Sequence, residues 1–176
     1  MTAAVPALLT FAEFEQLPDP PDGHRVELHH GEVISVPPPR LPHWLIQQRM
    51  LRQLLPAAGA DGTVGTELGF RVLPQEFRIA DIGFISAERL RSDAGSFLEG
   101  APELVIEVLS PSNTASEMLD KEQLCLENGC LEFWVVDPKR RQVRVSTRDG
   151  SAKTYKSGQS IPLMFGGELA VDPIFE

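Results

Sequence analysis

"APELVIEVLSPSNTASEMLDKEQLCLENGCLEFWVVDP", residues 101–138, decides the fold. Leu104, Val105, Ile106, Val108 and Leu109 form a continuous apolar run, the pattern of a strand buried on both faces. A helical pattern follows, with Ser112 or Asn113 as its N-cap and Gly129 as its stop. "CLEFWVVDP" then reads as a second buried strand. A strand–helix–strand unit over 103–137 implies a parallel pair joined by a right-handed crossover. Glu107 interrupts the first run, and burying a carboxylate there costs several kcal/mol unless something compensates.

Shorter elements surround this unit. Thr10 with Glu13 three residues on is a capping box for a short helix ended by Pro18. "HRVELHHGEVISV" reads as a hairpin turning at His30-Gly31, and "PPPRLP" as a stiff connector. Helical periodicity runs over residues 43–55, short strands are expected near 63–64 and 69–73, and "RIADIGFIS" is a further strand. A short helix and loop are expected over residues 87–100. "QVRVSTR" and "AKTYKSG" make a C-terminal hairpin. The expected architecture is α/β: a mixed central sheet flanked by helices, with an N-terminal and a C-terminal β-hairpin, in one domain over residues 1–176.

The chain of 176 residues carries a net charge of −9, which argues against nucleic acid as a partner. The charge is uneven, however. Residues 139–156 hold seven basic residues against one acidic residue, a local patch in an acidic protein. No apolar stretch reaches the roughly 20 residues a bilayer crossing needs, so no membrane association is expected. Residues 1–9 lack the basic start of a signal peptide. Cys125 and Cys130 have no companion cysteines or nearby histidines, which disfavours a disulfide framework or a zinc site. A cytoplasmic location is expected.

Asp81 and Glu107 are the sharpest pair of chemical candidates. Two acids on neighbouring strands suit a hard divalent cation such as Mg²⁺, which takes one or two carboxylates plus waters and phosphate oxygens. The competing reading of Glu107 is an ion pair with a buried cation. The two readings separate on Glu107→Gln: the first expects a more stable metal-free protein, the second a large loss of stability. Lys121 shares a helix stripe with Met118 and Cys125, so it points either toward the sheet or out to a pair with Glu117. Glu27 faces solvent or a cleft. His29 and His30 read as turn residues, and His43 as a capping or positioning residue at a helix start. Arg144 and Arg148 share one face of their strand, which is either solvated or a phosphate-contacting patch.

Taken together, "RVELHHGEVISVPPP", "IADIGFI", "APELVIEVLSPS" with its following lysine, "EFWVVDP" and the terminal "LAVDPIF" resemble the Uma-type restriction endonuclease family, a branch of the PD-(D/E)XK nucleases. The resemblance spans nearly the whole chain. It implies a restriction endonuclease-like fold and Mg²⁺- or Mn²⁺-dependent hydrolysis of DNA phosphodiester bonds. It also implies Asp81, Glu107, Lys121 and Glu27 as catalytic residues. The metal would be held by Asp81, Glu107 and the Val108 carbonyl. The superfamily lysine ordinarily stands two residues after the acid, where this chain has Leu109; the resemblance gives that place to Lys121. Two positions depart from the family pattern: Ala80 replaces a proline before Asp81, and Cys125 replaces a tyrosine on the helix. Neither removes a charged group. A non-catalytic nucleic-acid-binding or oligomeric module on the same fold is the alternative, and a homodimer is among the expected states.

Overall fold

Burial explains the order of the elements. In the computed structural model, which describes residues 8–21, 24–92, 95–111 and 113–176, the quoted segment forms the centre of a nine-stranded sheet. The chain runs α1 (Phe11–Phe14), β1 (Arg25–His29), β2 (Glu32–Val36), α2 (Leu41–Ala58), β3 (Gly62–Val72) and β4 (Glu76–Ser86). It continues through α3 (Ala87–Ser92), β5 (Leu98–Glu99), β6 (Leu104–Val108), α4 (Ala115–Glu127), β7 (Glu132–Asp137), β8 (Gln142–Thr147) and β9 (Ala152–Tyr155). It ends with β10 (Ser160–Pro162), β11 (Glu168–Ala170) and α5 (Asp172–Phe175).

The sheet follows β2-β1-β4-β6-β7-β8-β9, with β3 on the other side of β4 and β5 beyond β3. β6 and β7 pair in parallel, with Glu107 opposite Val135. β4 pairs antiparallel with β3 along its length and with β6 at its end. The sheet is therefore mixed, as expected. All five residues of β6 are buried, because helices cover both faces. On one face α2 brings Ile46, Met50 and Leu54 onto Ile82, Leu104, Ile106 and Trp134. On the other, Met118 and Cys125 of α4 meet Val105 and Phe133. Phe11 and Phe14 pack with Leu28 and Phe77 in a smaller cluster.

Local structure departs from the sequence reading at several points. The N-cap of α4 is Thr114, whose side chain and that of Glu117 satisfy each other's backbone N–H; Asn113 instead accepts from Ser110, and Ser112 lies outside the described residues. Asn128 is the C-cap, and Gly129 follows at φ +117°, where a Cβ would stand 3.1 Å from the Ala101 carbonyl oxygen. The two short strands expected around residues 63–73 are one 11-residue strand, β3. Thr66 and Glu67 interrupt its apolar positions Val64, Leu68, Phe70 and Val72, and pairing with β4 carries the strand across them. α2 begins two residues before His43, with Pro42 in its first turn, where the missing N–H removes no helical bond. The β10–β11 pair and α5 gave no sequence signal that separated them from loop.

Candidate active site

β4 changes neighbours on one edge, and the candidate residues gather at the change. β1 pairs with that edge at Phe77, and β6 pairs with it from Ile82 to Phe84. Between them the backbone of Ile79 and Asp81 faces the edge with no strand to bond. Buried N–H and C=O groups must be satisfied, so side chains take over. Glu27 accepts from the Ile79 amide at 3.0 Å. Lys121 donates to the Ile79 carbonyl at 2.8 Å. Glu107 accepts from the Asp81 amide at 3.3 Å, and Gln47 donates to the Asp81 carbonyl at 3.3 Å. Asp81 completes the exchange by accepting from the Val108 amide through Oδ2 at 2.8 Å. The four residues singled out from the sequence thus meet at one break in the sheet.

Lys121 comes off α4 with its Nζ 2.9 Å from Glu107 Oε1. Both side chains are buried, so the exposed pair with Glu117 is not formed; Glu117 caps the helix instead. Burial disfavours the lysine charge, but Glu107, Glu27 and Asp81 outweigh it and hold Lys121 above the usual lysine range. Burial pushes the Glu107 carboxyl up to about 8; Lys121 opposes this and the charge of Asp81 adds to it. The compensation that the sequence left open for Glu107 is therefore Lys121 in part, and it is incomplete.

Asp81 is reached from the opposite helix. His43 Nε2 lies 3.1 Å from Asp81 Oδ2, and Gln47 also approaches Asp81 Oδ1 at 3.4 Å. Gln47 bridges onward to Glu67 at 3.0 Å, and Glu67 pairs with Arg25. Glu67 stands across from Asp81, between the pairs Thr66–Ile82 and Leu68–Ala80, and has φ +57°. A non-glycine residue in the left-handed region costs about 1–3 kcal/mol and persists where its surroundings over-determine it. Arg40, not His43, is the N-cap of α2, so His43 does not cap the helix. Gln47 was legible in principle: it follows His43 by one turn on the stripe that continues through Met50 and Leu54. Glu67 was not, since its role depends on what β4 places opposite.

Glu27 is buried at 6% exposure, deeper than a hairpin face or a cleft rim. Its second oxygen contacts His29 Nε2 at 2.5 Å. Burial would raise its carboxyl, but His29, Lys121 and the Ile79 amide together lower it. His29 in turn meets Arg78, and Arg78 pairs with Glu76 at 2.9 Å. His29 is thus the end of a strand within a buried polar network, not a turn residue. His30 does sit in the turn, at φ +50°. Arg144 and Arg148 do not form an open patch: Arg144 pairs with Glu122 of α4 at 2.7 Å, and Arg148 donates to the Leu126 carbonyl at 3.1 Å. Cys125 is buried beside Lys121, and burial holds its thiol well above the usual range.

Asp81 and Glu107 offer hard oxygen donors, and Glu107 keeps Oε2 outside the hydrogen bonds formed by the described residues. A buried carboxyl with a raised proton affinity is one that lacks positive charge, and a divalent cation would supply it. The donor set fits one Mg²⁺ or Mn²⁺ held by two carboxylates and completed by water and phosphate oxygens. Among the described residues no three His, Cys, Asp or Glu side chains come together as a metal cluster.

The family described as "Uma2: Putative restriction endonuclease" matches residues 11–175. The chain belongs to the Uma2 family. Its fold is that of a crystal structure titled as a "putative nuclease belonging to DUF820" from Anabaena variabilis ATCC 29413. That structure is 21% identical, with a TM-score of 0.84, over 95% of this chain and 97% of the other. No curated protein matches. Among the described residues of this Uma2 chain, no helix is long and apolar enough to cross a membrane.

Proposed function

We propose that this Uma2 chain, as one restriction endonuclease-like unit, hydrolyses DNA phosphodiester bonds with a divalent cation, Mg²⁺ or Mn²⁺, at the break between β1 and β6. One observation carries the reading: Asp81, Glu107 and the buried Lys121 converge on the backbone of residues 79–81. Asp81 and Glu107 would hold the cation, with the Val108 carbonyl as a further ligand. The cation supplies Lewis-acid activation of the scissile phosphate and lowers the pKa of the attacking water. In the hydrolysis the water oxygen bonds to phosphorus and gives up a proton to solvent, the bridging P–O bond breaks, and the leaving oxygen takes a proton back from solvent. Lys121 has three N–H donors, and two are engaged by Ile79 and Glu107. The third has no partner among the described residues and would meet a non-bridging phosphate oxygen or the water, where a fixed positive charge stabilises the charge that develops. Glu27 has both oxygens occupied, so it acts by fixing the edge of β4 and the charge of Lys121. Gln47 holds Asp81 from the other side, and His43 Nε2 stands beside its Oδ2.

The second reading, a non-catalytic nucleic-acid-binding or oligomeric module, has its own support. Glu27, Glu107 and Lys121 each satisfy a β4 backbone group, a structural task that needs no catalysis. Activity decides between the two. The parent should cleave duplex DNA in Mg²⁺ or Mn²⁺ and be inert in EDTA. Asp81→Asn and Lys121→Met should each lose at least about 100-fold, in line with the loss of one charge-stabilising group. A parent inert on duplex and supercoiled DNA in both cations would leave the non-catalytic module.

A further inference from the structure

Beside the active site, on the far side of α2, lies a concavity of about 300 Å³ lined by Leu41, Pro42, Arg49, Pro138, Arg141 and Phe175 among others. Its two charged lining residues are both arginines. Arg49 is half-buried, and its side chain makes no hydrogen bond or ion pair among the described residues. Arg141 sits in the β7–β8 turn at φ +51°, its guanidinium 5.7 Å from the Phe175 ring centroid. The hairpin turn, braced by Asp137 on the Arg140 amide, accounts for that backbone; it does not account for the two guanidinium groups that line one concavity. Asp172 feels the charge of Arg141, but its Oδ2 already accepts from the Gly158 amide.

The topology places this concavity at the active edge of the sheet. β7 runs parallel to β6, and Val108 is opposite Val136, so residues 138–141 emerge just past the level of Glu107. α2 forms the shared wall: His43 and Gln47 face Asp81, while Leu45 and Arg49, also one turn apart, face the concavity. A helix is roughly 10 Å across with its side chains.

We infer that Arg49 and Arg141 form a clamp for a backbone phosphate of duplex DNA flanking the scissile bond. The inference rests on the DNA-hydrolase reading and adds to it where the strand lies. It moves phosphate contact from Arg144 and Arg148, which hold α4, to the β7–β8 turn and the flank of α2. Guanidinium groups suit this role because their fork matches phosphate oxygens, and an acidic protein needs such a local contact to hold a polyanion.

Duplex affinity measured in Ca²⁺ against salt concentration tests the clamp. Arg49→Gln should weaken binding several-fold; Arg49→Gln/Arg141→Gln, which leaves that phosphate unneutralised, should weaken it further and lower the log–log salt slope by about 0.9. Because the Arg49 side chain has no partner to lose, its single variant should melt with the parent. A parent that binds duplex and variants that match it in affinity and slope would overturn the clamp and leave the nuclease reading intact. A parent without affinity for any duplex would remove both. An Asp81→Asn variant that cleaves normally would remove the active-site reading alone, because the salt slope reports the clamp independently.

Discussion

At the scale of the residue, Glu107 and Lys121 set the energetics of the site. Removing one partner of a buried pair costs about 3–5 kcal/mol. In Glu107→Gln the amide still accepts from Asp81, and Glu27 and Asp81 still face Lys121. The expected loss in the metal-free protein is therefore near the bottom of that range, about 3 kcal/mol, at pH above about 8, where Glu107 is ionised. Denaturant unfolding in EDTA measures it; an equally or more stable variant would mean that Glu107 is held for the metal and not for Lys121. The raised Glu107 carboxyl also couples metal to pH. It keeps its proton up to about 8, against an ordinary value of 4.5. In the metal-free protein the folded state thus holds this proton longer than the unfolded state does. The associated stability is fully present below 4.5 and fades as pH rises through about 8. Metal must displace the same proton, so Mg²⁺ affinity should rise about tenfold per pH unit between pH 6 and 8, then level off. Calorimetric titration at several pH values follows this. A flat profile would place an ionised Glu107 opposite Lys121 throughout.

Among the elements, α4 matters most, because it carries Lys121 and must be held in register over β6 and β7. Its capping box fixes the start, and Met118 and Cys125 bury its inner face. Arg144 and Arg148 tie its outer side to β8. Arg144→Ala/Arg148→Ala should therefore cost stability, about 0.5–1 kcal/mol given that Arg144 is partly exposed. The salt slope of DNA binding should stay as in the parent. A lower slope with unchanged unfolding would return both arginines to the phosphate-contacting role. Alternation along "QVRVSTR" showed that the two arginines share a face. It could not show that α4 packs on that face, because which helix covers which strand is set by the crossover and not by the strand's own residues.

For the whole molecule, the site arises from a mismatch in sheet topology. β4 is long enough to be shared by β1 and β6, and the interval between them must be filled by side chains. The amino-acid sequence by itself determined the strand–helix–strand unit, since an apolar run flanking a capped helix has few other ways to bury its residues. It also determined that Glu107 needed a counter-charge, because an acid inside "LVIEV" is costly wherever that strand lies. The identity of that counter-charge was decided only when α4 folded back over the sheet and brought Lys121 to within 2.9 Å. The same holds for Glu27, His29, Gln47 and Glu67. Each looks like an ordinary polar residue in its own segment, and each acquires a partner from a strand or helix distant in the chain. Periodicity records which side of an element is buried. It carries no record of which element lies opposite, and at this site the opposite element supplies the chemistry.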